Sequence, residues 1–537
     1  MKVLIRLFRR SPLRSIGTAV VSLVGGLAIS GALFLLGSPT PHSVGTVVAF
    51  AILSIVAVGA RSVALLTMRR LGVAYNYELR TKLCEQISRL SLRELELLGA
   101  SRLHATLTED VAAVSTAGGG VGLVLADAAI VVATLGYLAV LSPIACGLAL
   151  VAVGISVAVI AFLGRSLAVT RERFSRRIDD LYGYFGALTQ GAKELRLSTT
   201  RREAFLERGV RSTATELAGY AEREGAISVV ALAVANFTLV GTMGLVVFAS
   251  SRFATESVAA RFVVALLYVI GPLQNVVSLL SITQQAGVAL GRIDEVARSV
   301  GARAEPEPSP ESPSSSVVLT LKDVCYSYDG ANAFSIGPVD LMLRSGELLF
   351  IVGGNGSGKS TLLNVLLGLY SPTSGEIVLN GTTIRDDNRT WLTAHFAAIF
   401  ADFYLFERIW DEEVALRADI ANRYIREMGL EGKVRFEEGR FSTTALSSGQ
   451  RKRLALVAAL MEDRPIYVFD EWAADQDPFF KRTFYDRILP ALAAAGKAVV
   501  AVTHDDRYFH VATSVIKLED GRRVADIRVP EAPAAGI

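Results

Sequence analysis

The chain has 537 residues, a length that predicts more than one domain. About half of the residues (51%) are hydrophobic and the mean hydropathy is +0.41, which together exclude an ordinary soluble protein. The 55 basic residues nearly balance the 52 acidic ones, so the formal net charge of +3 indicates no nucleic-acid partner. Cys84, Cys146 and Cys325 lie far apart, which indicates neither a metal site nor a disulfide framework.

The N-terminus combines basic residues with a long apolar run. Lys2, Arg6, Arg9, Arg10 and Arg14 precede the run at 16–37, which is long enough to span a bilayer as a helix. A cleaved signal peptide has a shorter apolar core and is the alternative. We therefore predict a retained first membrane helix.

Six apolar runs in all have the length of membrane spans. The predicted spans are 16–37, 44–67, 119–141, 144–164, 226–250 and 259–281. The connectors at 68–118 and 165–225 are long and basic, whereas 38–43 and 142–143 are short and uncharged. The positive-inside rule therefore places the N-terminus, both long connectors and the C-terminal half in the cytoplasm.

The long connectors show the apolar spacing of helices. The sequences RTKLCEQISRLSLRELELL and RRIDDLYGYFGALTQGAKELRL both have this spacing. We expect the membrane helices to extend into the cytoplasm, turn near 98–103 and 194–205, and return.

A change of composition divides the chain in two. Residues 301–316, GARAEPEPSPESPSSS, are rich in Pro, Ser and Glu and read as a flexible linker. The predicted domains are a membrane domain at 1–300 and a soluble α/β domain of short strands and helices at 317–537.

A phosphate-binding loop opens the soluble domain. The sequence LLFIVGGNGSGKST is an apolar strand followed by G-x-x-x-x-G-K-[ST], and a helical segment follows it. A chance glycine-rich turn would lack this strand and helix. Lys359 is predicted to bind the β- and γ-phosphates of ATP, and Ser360 to ligate Mg²⁺. The predicted nucleotide-binding residues of this loop are Gly353, Gly354, Asn355, Gly356, Ser357, Gly358, Lys359, Ser360 and Thr361.

A second apolar strand, in PIYVFDEW, ends in two carboxylates. Asp470 is predicted to hold Mg²⁺ and Glu471 to activate the attacking water as general base. A bare Asp-Glu pair after a strand is often only a surface turn. Its place downstream of the phosphate loop favours the catalytic interpretation.

The sequence ALSSGQRKRLALVAAL resembles the LSGGQ signature of ATP-binding-cassette (ABC) proteins, with Ser448 in place of the first glycine. The resemblance implies that Ser447, Ser448, Gly449 and Gln450 hold the γ-phosphate of ATP bound to another cassette. It further identifies Tyr328 as the adenine-stacking aromatic, Asp475 as the D-loop aspartate and His504 as the switch histidine. Taken alone, Tyr328 and His504 would be ordinary strand-edge residues.

One chain holds one phosphate loop and one signature. The resemblance therefore implies a dimer with two ATP molecules at its interface, most simply a homodimer. A heterodimer with a second half-transporter is the alternative.

Six spans, a linker and a cassette resemble exporter-type ABC half-transporters. The implied fold is a type I (type IV) ABC exporter fold, in which an α-helical membrane domain with six transmembrane helices precedes an α/β P-loop NTPase domain. The sequences FDEWAADQDPFFKRTFY, VTHDDRYFHVA, GASRLHATLTEDV and GAKELRLS are similar to the cyclic-peptide and siderophore exporters, which include syringomycin-, pyoverdine- and microcin-type exporters.

The resemblance implies ATP-driven export of a cyclic or modified peptide, or of a peptide siderophore. A lipid flippase and a multidrug exporter are alternatives with the same fold. A membrane sensor that uses ATP only to signal is an alternative from another class.

Polar side chains within the spans are candidates for a substrate cavity. Arg61 and Asp127 could pair, or Arg61 could extend to the cytoplasmic surface while Asp127 caps a bend. Asn236, Gln274 and Asn275 are candidates to contact a substrate, or else bond neighbouring helices.

The segment IFADFYLFE, at 399–407, lacks a glutamine that the family places there to face the γ-phosphate. Ala401 occupies that position, and Asp402 is the nearest polar substitute, better suited to Mg²⁺ or water than to a phosphate oxygen. A solvated loop residue is the alternative. The resemblance implies that the apolar residues of this loop still dock a cytoplasmic turn of the membrane domain.

Overall fold

A computed structural model describes residues 12–36, 43–248, 256–301, 314, 316–328 and 334–527. The basic residues before Pro12, the ends of the first and fifth predicted spans, and nearly all of the predicted linker lie outside the described residues. The chain separates into two compact units, one before residue 304 and the other from residue 304 onward together with Ser91–Arg93.

The first unit is helical almost throughout its described residues. Its α-helices are α1 (Pro12–Leu36), α2 (Val44–Ser88), α3 (Leu92–Leu98), α4 (Ala100–Ala105), α5 (Val111–Leu141), α6 (Pro143–Gln190), α7 (Ala192–Leu197), α8 (Thr199–Ala204), α9 (Ser212–Phe248) and α10 (Glu256–Gly301). Two π-helical segments, Thr106–Asp110 and Phe205–Arg211, precede α5 and α9. The described parts of the six predicted spans lie within α1, α2, α5, α6, α9 and α10.

Five of the described helices contain a stretch long and apolar enough to cross a membrane. The third predicted span falls in α5, where the apolar stretch among the described side chains is Ala126–Leu141. Large apolar side chains, including Ile55, Phe162 and Phe237, are exposed on the helices. An exposed apolar surface of this extent is what a lipid environment would cover.

Small residues let the helices of the first unit pack closely. Helix α1 packs on α2 and α5, α5 packs on α10, and α6 packs on α9. At Gly26, a Cβ atom would lie 2.8 Å from the carbonyl oxygen of Ala129, so only glycine permits this approach of α1 to α5. A buried cluster around Phe262, Leu266 and Leu239 joins α10 to α9.

Each long connector bends twice, once within the predicted turn and once before it. In the first connector α2 already ends at Ser88, where the N–H groups of Arg89 and Leu90 turn back to carbonyls three residues earlier. A second bend lies at Gly99, which adopts φ +77°, and the short helix α3 separates the two bends. The second connector likewise bends twice, at Gly191 and Ser198. The bends at Gly99 and Ser198 lie within the predicted turns near 98–103 and 194–205. The earlier bends after Ser88 and at Gly191 were not predicted, because the apolar spacing continues across them.

The second unit is built on a parallel sheet. Its strands are β1 (Val318–Ser327), β2 (Ser335–Arg344), β3 (Leu348–Gly353), β4 (Ser374–Leu379), β5 (Thr382–Thr383), β6 (Phe396–Ile399), β7 (Phe436–Glu437), β8 (Arg440–Phe441), β9 (Ile466–Asp470), β10 (Ala498–Val502), β11 (Ser514–Glu519) and β12 (Arg522–Ile527). Six of them form a sheet in the order β12-β11-β3-β10-β9-β6, parallel except for β12. Strands β9 and β10 are buried along their whole length, as continuous apolar runs in a covered parallel sheet should be.

Helices and an antiparallel sheet complete this unit. The second sheet has the order β2-β1-β4-β5, and β7 pairs with β8. The α-helices are α11 (Lys359–Leu366), α12 (Arg389–Thr393), α13 (Glu412–Ala415), α14 (Ala418–Glu427), α15 (Ser448–Glu462), α16 (Pro478–Thr483) and α17 (Leu489–Ala494). The parallel order brings the carboxyl ends of β3, β6, β9 and β10 to one edge, where α/β proteins bind ligands.

A buried carboxylate lies at the start of α5, in the first long connector. Asp110 pairs with Arg292 of α10 at 3.5 Å, and its Oδ2 has no hydrogen-bond partner among the described residues. Burial raises the pKa of Asp110 to about 6 against the opposing effect of Arg292. The folded chain therefore retains this proton at a pH where the unfolded chain has released it.

This retained proton predicts a pH-dependent opening of α5. Stability contributed at Asp110 falls as the pH rises from about 4 to about 6 and is constant above. Hydrogen exchange at residues 111–117, corrected for intrinsic rates, should show about tenfold more local opening at pH 7 than at pH 5. Asp110→Asn should remove the difference, and an unchanged difference in that variant would contradict the assignment.

Candidate functional site

The loop between β3 and α11 has the geometry of an anion site. Strand β3 ends at Gly353, and α11 begins at Lys359 with Gly358 as its N-cap at φ +97°. The first N–H groups of a helix have no intrahelical partner and lie at the positive end of its dipole. The predicted residues 353–361 therefore lie around a site that favours phosphate.

Two glycines of the loop are required by close contacts. A Cβ at Gly353 would lie 2.6 Å from Ser357 Oγ and 2.4 Å from the Leu518 carbonyl oxygen. A Cβ at Gly358 would lie 2.7 Å from Ile336 Cγ2, at a φ that already favours glycine. The backbone can therefore close tightly at both ends of the loop.

The polar groups of the loop fit a phosphate. The buried ammonium of Lys359 donates to the carbonyl oxygens of Gly353, at 3.1 Å, and Gly354, at 2.9 Å. The Ser357 hydroxyl is buried, with no hydrogen-bond partner among the described residues. A phosphate would give this hydroxyl a partner, so the residues present fit ATP.

Ser360 and Asp470 lie together beside the loop. The Ser360 hydroxyl donates to Asp470 Oδ2 at 3.3 Å. Burial raises the pKa of Asp470, and the neighbouring charge of Glu471 raises it further. No cluster of three His, Cys, Asp or Glu side chains within the described ranges could hold a metal alone. This pair fits Mg²⁺, which commonly takes one or two protein oxygens together with phosphate oxygens.

Glu471 and His504 meet because β9 and β10 are neighbours. Asp470 is paired with Val502 in the parallel register, so the residues after each strand leave the same edge. His504 Nε2 lies 2.9 Å from Glu471 Oε1. Glu471 itself adopts φ +49°, an uncommon conformation for a residue with a side chain. The arrangement holds a carboxylate and an imidazole beside the phosphate loop.

The signature residues form the start of α15. Ser447 is the N-cap, and its N–H donates to Gln450 Oε1 at 3.4 Å, as in a capping box. The side chain of Gln450, predicted to contact nucleotide, thus closes its own helix here. No hydrogen bond among the described residues joins 447–450 to the phosphate loop. The start of α15 is therefore a second anion-favouring helix end.

The two remaining nucleotide candidates have partners within the unit. The Tyr328 hydroxyl lies 3.2 Å from that of Thr361, and its ring packs edge-on against Tyr326 and Tyr370. Asp475 Oδ2 lies 2.9 Å from Lys452 Nζ.

Sequence reasoning missed Lys452, a buried residue of α15 whose ammonium reaches the residues that follow β9. Its ammonium also donates to the Glu471 carbonyl oxygen at 3.1 Å. In the sequence it belongs to the basic run Arg451–Arg453, which is typical of a solvated helix face, so no signal distinguished it.

The segment without glutamine follows β6 at the same sheet edge. Ile399 is paired in parallel with Phe469, next to Asp470, and the charge of Asp402 contributes to the raised pKa of Asp470. The following residues line a groove of ≈ 550 Å³, where Leu405 is buried and Tyr404 is exposed. Ala401 and Asp402 are both exposed.

The five polar candidates in the membrane unit form two hydrogen-bonded groups. Arg61 of α2 donates to Asp127 Oδ1 of α5 at 3.0 Å, and Asn275 of α10 donates to Asp127 Oδ2 at 2.8 Å. Gln274 Nε2 lies 3.5 Å from Asn236 Oδ1 of α9. Asp127 is fully buried, whereas the Arg61 side chain is 38% exposed. The charge of Asp127 is thus matched inside the helix bundle.

Comparisons with known proteins agree with this geometry. The ABC transporter family profile matches residues 336–474. The chain is 37% identical over 501 residues to the ATP-binding protein SyrD of Pseudomonas syringae pv. syringae, covering 89% of this chain and 87% of SyrD. It is 31% identical over 208 residues to the probable syringafactin export ATP-binding/permease protein SyfD of P. syringae pv. syringae strain B728a, covering 36% of this chain and 31% of SyfD.

A solved structure shows the same fold over nearly the whole length. The structure of a bacterial Atm1-family ABC exporter with ATP bound superposes with a TM-score of 0.75 at 18% identity, covering 97% of this chain and 95% of that one. Together with the extent of the similarity to SyrD, this confirms the predicted exporter fold. The chain belongs to the ABC transporter family, as an exporter-type half-transporter whose ATPase activity is coupled to transport.

Proposed function

We propose that this exporter uses ATP to move a cyclic or otherwise modified peptide, or a peptide siderophore, across the bacterial inner membrane. The observation that carries the proposal is the convergence of Lys359, Ser360, Asp470, Glu471 and His504 at one sheet edge of a chain with a membrane-helix unit. The N-terminus and the ATP-binding unit would face the cytoplasm, as the basic connectors indicate.

In this proposal the phosphate loop binds ATP, and the residues at the end of β9 supply the groups for hydrolysis. Lys359 would exchange its loop carbonyls for phosphate oxygens, while Ser360 and Asp470 would hold Mg²⁺. Bound Mg²⁺ would neutralise charge that develops on the phosphates. Glu471 Oε would accept the proton of the attacking water, with His504 oriented by its contact with the same carboxylate.

The active form would be a dimer, as half-transporters of this family generally are. The start of α15 and the phosphate loop are separate anion sites, so ATP at one loop can be completed by the signature of a partner. A homodimer is the simplest form because Lys359, Asp470, Glu471 and His504 are all present. The dimer would bind two ATP molecules more tightly in its closed state than in its open state. This difference in binding free energy would drive alternating access.

Replacing the proposed base tests the catalytic assignment. Glu471→Gln should bind ATP and form closed dimers, yet hydrolyse at least about a hundredfold more slowly, since the amide cannot accept the proton. Phosphate release and ATP-dependent cross-linking would measure the two effects. Turnover near wild type in this variant would refute the assignment.

The polar groups in the membrane unit suit a peptide. Asn236 and Gln274 can each donate and accept, and the Arg61–Asp127 pair adds no net charge. A peptide presents amide donors and acceptors that such groups can satisfy. The similarity of the soluble-domain motifs to cyclic-peptide exporters supports this cargo class, as does the similarity to SyfD, a probable syringafactin export protein.

Transport in inside-out vesicles tests the cargo class. The wild-type protein should accumulate a cyclic peptide in an ATP-dependent manner. Asn236→Leu should remove a hydrogen bond to the peptide and so raise severalfold the peptide concentration that gives half-maximal ATPase stimulation. Thr238→Val is a matched control on the same helix, because the hydroxyl of Thr238 donates to the Val234 carbonyl of its own helix and has no other hydrogen bond among the described residues.

Other outcomes would favour the rival functions. Stimulation by lipids or drugs, with none by peptides, would favour a flippase or a multidrug exporter. ATP hydrolysis with no accumulation of any cargo would favour a sensor. Vesicles that contain the Glu471→Gln protein measure the background uptake that does not depend on ATP hydrolysis.

We also propose that Asp402 takes over the metal-sensing part of the missing glutamine. Its charge already acts on Asp470 across neighbouring strand ends. Asp402→Ala should raise the Mg²⁺ concentration for half-maximal ATP binding severalfold, because an oxygen near the cation is lost. Ala401→Gln should leave hydrolysis and transport within about twofold; a large gain in both would show that the natural loop is defective.

A further inference from the structure

Lys452 is a buried cation that the chemistry described so far does not use. It lies in the second turn of α15, and only 5% of the residue is exposed. A buried ammonium must replace its water with other partners. Its two partners are the Glu471 carbonyl oxygen at 3.1 Å and Asp475 Oδ2 at 2.9 Å.

The contact with Glu471 falls on an unusual stretch of backbone. Glu471 has φ +49° and ψ +34°, a left-handed conformation that a residue with a side chain rarely adopts and that the surrounding structure must hold in place. Its N–H donates to the Val502 carbonyl at 3.3 Å, and its carbonyl also accepts from the N–H of Ala474 at 3.2 Å. Of these contacts, only the one from Lys452 comes from the signature helix.

Two more hydrogen bonds connect the same elements. Trp472 Nε1 donates to the Lys452 carbonyl at 2.8 Å, and Gln476 Nε2 donates to the Gly449 carbonyl at 3.1 Å. Trp472 and Gln476, which lie on either side of Asp475 in the D-loop, are thus both bonded to α15, whose N-terminus carries the signature. A displacement of α15 would therefore reach the backbone of Glu471 directly.

We propose that Lys452 is a positioning residue that holds the Glu471 backbone and Asp475 in place and so couples the signature end of α15 to the carboxylate that activates water. The inference rests on the proposed role of Glu471 as base. A phosphate bound at the signature would then change the position of Glu471 through α15 and Lys452. This Glu471 is the one that acts on the ATP bound by the same chain. Lys452 contacts Glu471 and Asp475, and in this proposal it acts on hydrolysis through Glu471.

Removal of the Lys452 charge should leave the fold intact. Asp475 is 55% exposed and can be hydrated, and the Glu471 carbonyl keeps its bond from Ala474. In Lys452→Met the aliphatic stem remains to fill the space. The loss should therefore appear as mobility of Glu471 rather than as unfolding.

Lys497 supplies a matched control at the other end of α15. Its ammonium contacts the carbonyl oxygen of Asp463 at 3.3 Å and the carboxylate of the same residue at 2.8 Å. Asp463 is the C-cap of α15 and also adopts a left-handed conformation, at φ +50°. Lys497→Met therefore removes the same kind of contact from the same helix, away from the phosphate edge.

Steady-state ATP hydrolysis by the full-length dimer tests the proposal. Lys452→Met should lower kcat about tenfold or more, because small displacements of a catalytic group cost up to a hundredfold, while KM for ATP changes less than about twofold. The Hill coefficient for ATP should fall toward one. Lys452→Arg, which keeps the charge and the donors, should recover most of kcat, and Lys497→Met should resemble wild type.

A double variant separates this proposal from the base assignment. In the Glu471→Gln background, Lys452→Met should lower residual hydrolysis no further, and closed dimers should still form at the same ATP concentration. A kcat for Lys452→Met within twofold of wild type, or an equal loss in Lys497→Met, would overturn the role of Lys452. Wild-type turnover by Glu471→Gln alone would instead overturn the proposed base.

Discussion

The parallel pairing of β3, β10 and β9 determines where the phosphate-handling groups of this chain lie. Each strand is buried, so its apolar residues set its register, and each delivers its next residues to the same edge. Lys359 follows β3, Glu471 follows β9 and His504 follows β10, although more than a hundred residues separate the first two. A one-residue slip of β9 would turn Asp470 away from Ser360. The strand register that stabilises the sheet therefore also sets the geometry of the site.

The membrane unit meets the opposite constraint, because its surroundings offer no water to a charge. Asp127 is buried completely and is stabilised by two donors, one from α2 and one from α10. Removing either donor would leave a buried carboxylate partly uncompensated, which is costly. Asp127 and its two donors therefore tie three helices together at one point. A movement that separates α2 from α5 must break the Arg61–Asp127 contact or carry both side chains along, which makes this contact sensitive to the conformational state of the unit.

The features predicted from the sequence were those with a local or ordered pattern. The phosphate loop has a fixed spacing between its strand and helix, and six apolar runs are long enough to identify without neighbours. The Arg61–Asp127 pair was one of two open interpretations, because depth in the membrane does not reveal which face a residue occupies. The bend at Arg89–Ser91 was missed because apolar spacing continues through it. Lys452 was missed because its burial depends on β9 and the D-loop packing against α15, which no local pattern encodes.

Within the ATP-binding unit, two helix ends favour phosphate, and they serve different purposes. The start of α11 is closed around a buried lysine and a hydroxyl that has no hydrogen-bond partner among the described residues, which fits a bound nucleotide. The start of α15 offers N–H groups and a serine, and no hydrogen bond in the described part of the chain joins it to the phosphate loop. In the proposed dimer, a phosphate held at α15 would belong to the ATP that the partner binds. The contacts of Lys452 and Gln476 connect this end of α15 directly to the Glu471 backbone and to the residues beside Asp475. In the proposed dimer, the position of Glu471 would then depend on whether the signature is occupied, so that hydrolysis of one ATP would be coupled to the binding of the other.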